Sequence, residues 1–148
     1  MSEPRNDAIR CLARREYGVW ELRQKLVQKG HQAEKVDAVL ERLQNDGMLS
    51  DARYAEARSN SLKNRGYGPQ RVRMELHEKR VPDSIVESVL DQPEERWIEL
   101  AKTARRKKFG EGKPDNFKDK AKQMRFLQYR GFSPEQIACA VNIDETIE

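Results

Sequence analysis

Basic side chains recur at helical spacing in two segments of this sequence, and such side chains could bind phosphate groups. In the first segment, Arg73, His77 and Arg80 are separated by four and then three residues, which places them on one face of a helix. The second segment carries the same kind of stripe, made of Lys118, Lys122, Arg125 and Tyr129. A basic stripe can follow a nucleic-acid backbone, and an aromatic ring can stack on a base. A solvated helix face explains either stripe by itself equally well.

Positive charge is concentrated in the middle and the later part of the chain. The 148 residues include 29 Lys and Arg against 25 Asp and Glu, a net charge of +4. Residues 102–130 hold eleven basic residues against three acidic ones, whereas residues 133–148 contain no Lys or Arg. This imbalance permits a nucleic-acid or other anionic partner without establishing one.

The predicted partner- or DNA-binding residues come from these basic segments. The run 105–108 is the weaker part of the prediction, because cations at the end of a helix also stabilise its C-terminal dipole. Phe126 lies off the apolar face of its predicted helix, and we expect it to pack against a neighbouring module or to anchor a partner. The predicted set is Arg65, Tyr67, Arg73, His77, Arg80, Arg105, Arg106, Lys118, Lys122, Arg125, Tyr129 and Arg130.

No catalytic constellation is recognisable. The sequence shows no nucleophile with a base, no carboxylate pair, no metal-ligand cluster and no phosphate-binding loop, so we expect a binding protein without cofactor rather than an enzyme. His31 and His77 are isolated, and Cys11 and Cys139 are too far apart to suggest a disulfide or a zinc site. We expect both cysteines to be small buried residues. Asp51 with Arg53 is typical of an ordinary pair within one helix.

The elements that must position these residues form a repeat. Moving back 50 positions places Tyr67-Gly68 on Tyr17-Gly18, and moving forward 101 positions places Lys29-Gly30 on Arg130-Gly131. The third copy carries an aromatic-glycine pair early, at Phe109-Gly110, which indicates an inserted loop at about 109–119. A fixed period near 50 is typical of stacked units that bury apolar faces on one another. We therefore predict three-helix repeats over residues 1–48, 49–92 and 93–148.

Nine helices and no strand are predicted, because no segment shows strict alternation of apolar and polar residues. Helix one should carry Ile9, Leu12 and Ala13 inward, and helix eight should carry Phe117, Ala121 and Met124 inward. Ser133-Pro134-Glu135-Gln136 predicts a capping box at the start of helix nine. We find no signal peptide and no long apolar run, and we expect a cytoplasmic monomer that does not contact membranes.

Four stretches, read in this order, resemble the RecX family of regulatory proteins. They are GMLSDARYA at 47–55, RGYGP at 65–69, ELHEK at 75–79 and RFLQYRGF at 125–132. The resemblance extends over almost the whole chain. It departs from the family pattern at Arg80, where a glycine is usual, at Met48, where an aromatic residue is usual, and at Tyr17-Gly18, where a Ser or Thr cap is common.

The resemblance implies both an architecture and an activity. It implies an all-α chain of three tandem three-helix repeats forming an elongated, curved array. It also implies binding to the RecA recombinase filament on single-stranded DNA, with inhibition of its recombinase, ATPase and coprotease activities and thereby of recombination, repair and the SOS response. Non-specific binding to double-stranded DNA belongs to the same expectation. The residues by themselves leave two alternatives: a stand-alone basic DNA-binding helical module, and a helical-repeat adaptor for an unrelated protein.

Overall fold

Every secondary-structure element of the described chain is an α-helix. The computed structural model describes residues 3–142. Within that range the helices are α1 (Pro4–Arg14), α2 (Val19–Gln28), α3 (Ala33–Asn45), α4 (Asp51–Asn64), α5 (Pro69–Glu78), α6 (Asp83–Leu90), α7 (Glu94–Phe109), α8 (Phe117–Tyr129) and α9 (Pro134–Val141). The predicted all-α class and the order of nine helices are confirmed for the described residues.

Two compact units divide the chain, and neither coincides with one predicted repeat. Unit 1 contains the described residues up to Arg58 together with Leu76–Val89. Unit 2 contains Ser59–Glu75 and the described residues from Leu90 onward. Helices α4 and α5 each contribute residues to both units. The repeat boundaries after residues 48 and 92 stay predictions about the sequence pattern.

The core of unit 1 lies where α1, α2 and α3 pack on one another. Fully buried leucines such as Leu22 and Leu26 each contribute about 1.5–3 kcal/mol through the apolar surface they remove from water. On α1 the innermost residues are Ala8 and Cys11, with Ile9 and Leu12 partly buried beside them. The prediction for Ala13 is wrong, because it is exposed two residues past Cys11, roughly 200° further around the helix.

A side chain from α4 caps the start of α2. Gly18 is the N-cap of α2 and has no side chain with which to accept a hydrogen bond. Instead the Val19 N–H donates to Asp51 Oδ1 over 2.9 Å, which satisfies a donor that the helix leaves open. Burial raises the pKa of the Asp51 carboxyl, and the hydrogen bond from Val19 lowers it. Asp51 therefore replaces the missing Ser or Thr cap.

The core of unit 2 lies between α7, α8 and α9, with α7 packed most extensively on α9. Its buried apolar residues are Ala101, Ala104, Leu127, Phe132, Ile137, Ala140 and Val141. The predicted capping box of α9 is confirmed: Gln136 N–H donates to Ser133 Oγ over 3.2 Å, and Ser133 N–H donates to Gln136 Oε1 over 2.9 Å. Cys139 is half-buried rather than buried, whereas Cys11 in unit 1 is buried as predicted.

Backbone hydrogen bonds join the start of α5 to the turn between α8 and α9, and both segments lie in unit 2. Gly68 N–H donates to the Arg130 carbonyl over 2.8 Å, and Gln70 N–H donates to the Gly131 carbonyl over 2.9 Å. A Cβ atom added to Gly68 would lie 2.6 Å from the Gly131 oxygen. A Cβ atom added to Gly131 would lie 2.6 Å from the nitrogen of Arg71. Only glycine fits at either position, and this contact fixes the position of Arg130.

The turn after the second helix of each repeat requires a positive φ. Gly30 and Gly131 adopt it at 101° and 94°, but Arg80 adopts it at 54° in the middle repeat. A residue with a Cβ atom in this conformation costs roughly 1–2 kcal/mol. The Arg80 guanidinium lies 5.1 Å from the centre of the Trp20 ring, an attraction of about 0.5–1 kcal/mol at an exposed site that offsets part of the cost.

An irregular segment, residues 110–116, separates α7 from α8. It is shorter than the loop predicted at about 109–119, because Phe109 ends α7 and residues 117–119 form the first turn of α8. The equivalence of Phe109-Gly110 with the earlier aromatic-glycine pairs is wrong. Gly110, with φ at 92°, ends α7, whereas Gly18 and Gly68 precede helices. The N-cap of α8 is Asn116, whose side chain accepts from the Asp119 N–H over 2.8 Å.

Candidate nucleic-acid interface

Helix α8 presents the second predicted stripe to solvent. We call Lys118, Lys122, Arg125 and Tyr129 the α8 stripe, and all four are exposed, Tyr129 by 80%. No ion pair joins its three cations to another residue in the part of the chain that the structure describes. The α8 stripe thus offers three unneutralised charges and a free aromatic ring along one helix face, the combination that suits a single-stranded phosphate backbone.

The apolar side of α8 is not the one the spacing predicted. Phe117 is 85% exposed and Met124 is 40% exposed, so neither belongs to the core. The buried residues of α8 are Gln123 and Leu127, which are four apart and face α7 and α9. The misassignment arose because Phe117 stands in the first turn of the helix, next to the irregular loop, where little packs against it.

Tyr67 lies at the centre of three arginines within unit 2. The guanidinium carbons of Arg71 and Arg130 each lie 4.8 Å from the centre of its ring, and that of Arg65 lies 5.5 Å away. Arg130 Nη1 also donates to the carbonyl of Arg65 over 2.8 Å. Tyr67 is half-buried by these neighbours, so its role in the structure is to organise Arg65 and Arg130 rather than to present a free ring.

Beside this cluster unit 2 contains a cleft of about 220 Å³, which we call the cationic cleft. Its walls come from the end of α4 and the following turn, from the last turns of α7, and from the end of α8. It is lined by Lys63, Asn64, Arg65, Gly66, Leu100, Thr103, Ala104, Lys107, Lys108, Phe126 and Arg130. Five of these residues are cations and none is a carboxylate.

Phe126 forms part of the floor of the cationic cleft. Its ring meets that of Phe109 edge-on, with the centroids 5.3 Å apart and the planes at 90°. The Arg130 guanidinium lies 4.8 Å from the Phe126 ring and the Lys108 ammonium 5.9 Å from it. Within unit 2 the ring therefore contacts its own repeat through Phe109, and it supports two cations of the cleft.

The prediction that Arg105 contacts a partner or DNA is wrong, because its side chain is fully buried. Its Nε donates to Gln123 Oε1 over 2.9 Å, and its Nη2 donates to the carbonyl of Gly112. Burial, followed by the positive charge of Arg106, lowers the pKa of the Arg105 guanidinium, while Glu111 acts in the opposite direction. Arg105 ties the 110–116 loop to α8. Arg106 is exposed and donates to Thr103 Oγ1 over 3.3 Å.

The first predicted stripe does not form on one helix face, because α5 ends at Glu78 and Arg80 lies in the following turn. In unit 1, His77 lies 3.2 Å from the Asp83 carboxylate, and Arg80 lies against Trp20. Arg73 belongs to unit 2 and is half-buried. These residues stay predicted contacts only as individual side chains.

Sequence reasoning missed Lys63, Lys107 and Lys108 as a group, because they come from two helices far apart in the chain. The available signal was their position: Lys63 lies in the last turn of α4, and Lys107 and Lys108 lie in the last turn of α7. For Lys107 and Lys108 that position suggested a role at the helix dipole, and only the tertiary structure shows that the ends of α4 and α7 face one cleft.

Two kinds of feature are absent from residues 3–142. No cluster of three or more His, Cys, Asp and Glu side chains is placed to hold a metal ion in this range. None of its helices combines the length and the apolar character needed to cross a membrane.

Three family models match consecutive parts of this chain. The first, second and third three-helix domains of RecX match residues 5–43, 50–90 and 94–141. The chain belongs to the RecX family. The RecX resemblance drawn from the four sequence stretches is thereby confirmed.

Curated RecX relatives align over nearly their full length. The regulatory protein RecX of Vibrio vulnificus is 42% identical over 142 residues, 96% of this chain and 93% of its own. The regulatory protein RecX of Halorhodospira halophila is 40% identical over 145 residues, 97% of this chain and 90% of its own. This RecX-family chain therefore has a regulatory role of the RecX type.

Solved RecX structures share the fold. A crystal structure of RecX from Lactobacillus salivarius superimposes with a TM-score of 0.80 at 19% identity, covering 97% of this chain and 95% of that one. A second crystal structure of regulatory protein RecX superimposes with a TM-score of 0.77 at 21% identity, covering 93% of this chain and 69% of that one.

Proposed function

We propose that this RecX-family chain binds the filament that RecA recombinase forms on single-stranded DNA and inhibits the recombinase, ATPase and coprotease activities of that filament. A protein bound at or near a growing end would block the addition of further protomers, so a few copies would have a large effect. The chain would thereby restrain recombination, repair and the SOS response without catalysing a reaction.

The observation that carries the proposal is the α8 stripe in a chain of the RecX family. Three exposed cations without an ion pair to another described residue lie beside Tyr129 on one helix face. Their charges would attract the phosphates of the filament strand and would be screened beyond about 8–10 Å at physiological salt. Binding through these residues would therefore weaken steeply as the salt concentration rises.

The test is the single-stranded-DNA-dependent ATPase rate of RecA while this protein is titrated in. We expect inhibition at well below one copy per RecA protomer. No inhibition at equimolar protein would contradict the proposal. Binding to a bare oligonucleotide without any effect on the ATPase would instead support a stand-alone DNA-binding module.

Reversing the charge of the α8 stripe with Lys122→Glu/Arg125→Glu should weaken inhibition and make it less dependent on salt. Two lost phosphate contacts flatten the logarithmic salt slope by about 1.4 on a single strand. The matched control is Lys35→Glu/Arg42→Glu on α3, which makes the same change in net charge at two exposed residues of unit 1. Equal effects of the two variants would show that only net charge matters and would remove the assignment to α8.

A further inference from the structure

The cationic cleft holds more positive charge than its surroundings neutralise. Its lining contains five cations and no carboxylate. Arg65, Lys107, Lys108 and Arg130 make no ion pair with any residue in the described part of the chain. Crowding like charges around one cavity is unfavourable unless an anion accompanies them, so this lining favours the binding of an anion.

Helix dipoles explain only part of this charge. The C-terminal ends of α4, α7 and α8 all contribute to the cleft, and cations are favoured at such ends. Each helix end is equivalent to about half a negative charge, so three ends supply about −1.5 against the four positive charges of Arg65, Lys107, Lys108 and Arg130. An excess of about two and a half positive charges remains, which is more than one phosphodiester group would neutralise.

The cleft is also organised to hold oxyanions. Arg130 lies 4.8 Å from the rings of both Tyr67 and Phe126, and its Nη1 donates to the Arg65 carbonyl, so its guanidinium is held before any ligand arrives. The Cβ atom of any other residue at Gly66 would lie 3.0 Å from Arg130 Nη1. The volume of about 220 Å³ is well above the space that one water molecule needs, so phosphate groups can enter and exchange water for N–H donors.

The cleft adjoins the α8 stripe on the same helix. Arg130 follows Tyr129 by one residue, which is a rotation of about 100° around the helix. A strand that follows Lys118, Lys122 and Arg125 along α8 and passes Tyr129 would thus arrive beside Arg130 and the mouth of the cleft.

We infer that the cationic cleft anchors backbone phosphates of a single-stranded nucleic acid, with Arg65, Lys107, Lys108 and Arg130 as the main contacts. The inference rests on the proposed function for the identity of the strand. Because the excess charge exceeds one phosphodiester, at least two consecutive phosphates contact the cleft. The α8 stripe then directs the strand, and the cleft holds it.

The experiment measures binding of a fluorescently labelled thirty-nucleotide oligothymidylate by the full chain, by anisotropy between 0.05 and 0.3 M salt. Lys107→Ala/Lys108→Ala removes two exposed cleft cations. The slope of log affinity against log salt concentration should flatten by about 1.4. If the affinities of the variant and the unmodified chain coincide at 1 M salt, the variant binds roughly 25-fold more weakly at 0.1 M. Lys102→Ala/Lys120→Ala, which removes the same charge from α7 and α8 outside the cleft lining, should change the slope less. Thermal unfolding of both variants should match that of the unmodified chain.

An unchanged slope for Lys107→Ala/Lys108→Ala, or equal changes in both variants, would overturn the inference. Displacement of the oligonucleotide by ATP at equal phosphate concentration would also overturn it, because the cleft would then be a site for free nucleotide.

The RecA ATPase titration separates this result from the proposed function. Inhibition by the unmodified chain together with an unchanged oligonucleotide slope in the cleft variant would remove the phosphate anchor alone. A flattened slope without any ATPase inhibition by the unmodified chain would support the phosphate anchor and remove the RecA proposal.

Discussion

The two units use their cations in different ways. In unit 1, arginines meet carboxylates at hydrogen-bonding distance, as in Arg23 with Asp37 at 2.7 Å and Arg53 with Glu16 at 2.8 Å. Two cation–carboxylate pairs of unit 2 are longer, at 3.9 Å for Arg71 with Glu75 and 3.7 Å for Lys102 with Glu99. In its cleft, Arg65, Lys108 and Arg130 lie over aromatic rings and make no ion pair with a described residue, whereas Arg15 of unit 1 has both a ring contact and a carboxylate partner.

This difference separates charge that supports the fold from charge that remains for a partner. A carboxylate neutralises the arginine it contacts, whereas an aromatic ring positions a cation and leaves its net charge in place. A high count of basic residues therefore says little about binding until their partners are known. The difference predicts that cation removal in unit 1 lowers stability, and that removal of exposed cations in unit 2 lowers binding.

Arg105 is an exception in unit 2, because this buried cation supports the fold. Its removal should have the largest effect on stability. Arg105→Ala leaves Gln123 and the Gly112 carbonyl without their donors and opens a cavity, so we expect a loss of about 2–4 kcal/mol. That corresponds to a fall of roughly 5–15 °C in Tm by calorimetry. Exposed Arg106→Ala is the control and should stay within about 0.5 kcal/mol. Equal Tm values for the two variants would contradict a structural role for Arg105.

Acid should weaken unit 1 through the contact between Asp7 on α1 and His31 in the turn between α2 and α3. His31 Nε2 lies 2.7 Å from Asp7 Oδ2, and this hydrogen bond, aided by the charges of Lys29 and Arg10, lowers the pKa of Asp7 against the opposing effect of burial. A lowered folded-state pKa contributes stability above the ordinary value of 3.8, and that stability is lost as the pH falls through the folded-state pKa.

His31→Ala should reduce this loss of stability in acid, as measured by urea unfolding from pH 6 to pH 2.5. His77→Ala is the control, because His77 is exposed and pairs with the exposed Asp83. If the unfolding free energy falls equally with pH in the unmodified chain and in His31→Ala, the Asp7 contact does not contribute to the acid sensitivity.

The smallest expected changes in stability come from removing one exposed cation from each unit, Arg15 and Lys118. Arg15 forms two hydrogen bonds with Glu21 and lies 3.7 Å from the centre of the Tyr17 ring, so Arg15→Ala should cost about 1 kcal/mol in urea unfolding. Lys118→Ala on the α8 stripe should change the unfolding free energy by less than about 0.5 kcal/mol. A loss from Lys118→Ala as large as that from Arg15→Ala would remove the distinction between the two units.

Much of the fold could be predicted from residues near one another in the sequence. The capping box at Ser133 depends on neighbours within about four positions, and the sequence pattern located it correctly. The 101-residue offset also aligned Gly30 with Gly131, and both adopt a positive φ at the end of a helix. Local spacing failed at Phe117, which has the right periodicity for the core but stands where nothing covers it. It failed again at Asp51, which caps α2 rather than pairing with Arg53.

By itself the sequence determined the order of the helices, the capping box of α9 and the family, because these depend on short-range sterics and on motif order. The tertiary structure decided which cations remain available, because their partners are distant in the chain. Glu16 neutralises Arg53 from 37 residues away, and the carbonyl of Arg65 holds Arg130 from 65 residues away. Burial removed Arg105 from the predicted surface, and the meeting of three helix ends created the cationic cleft.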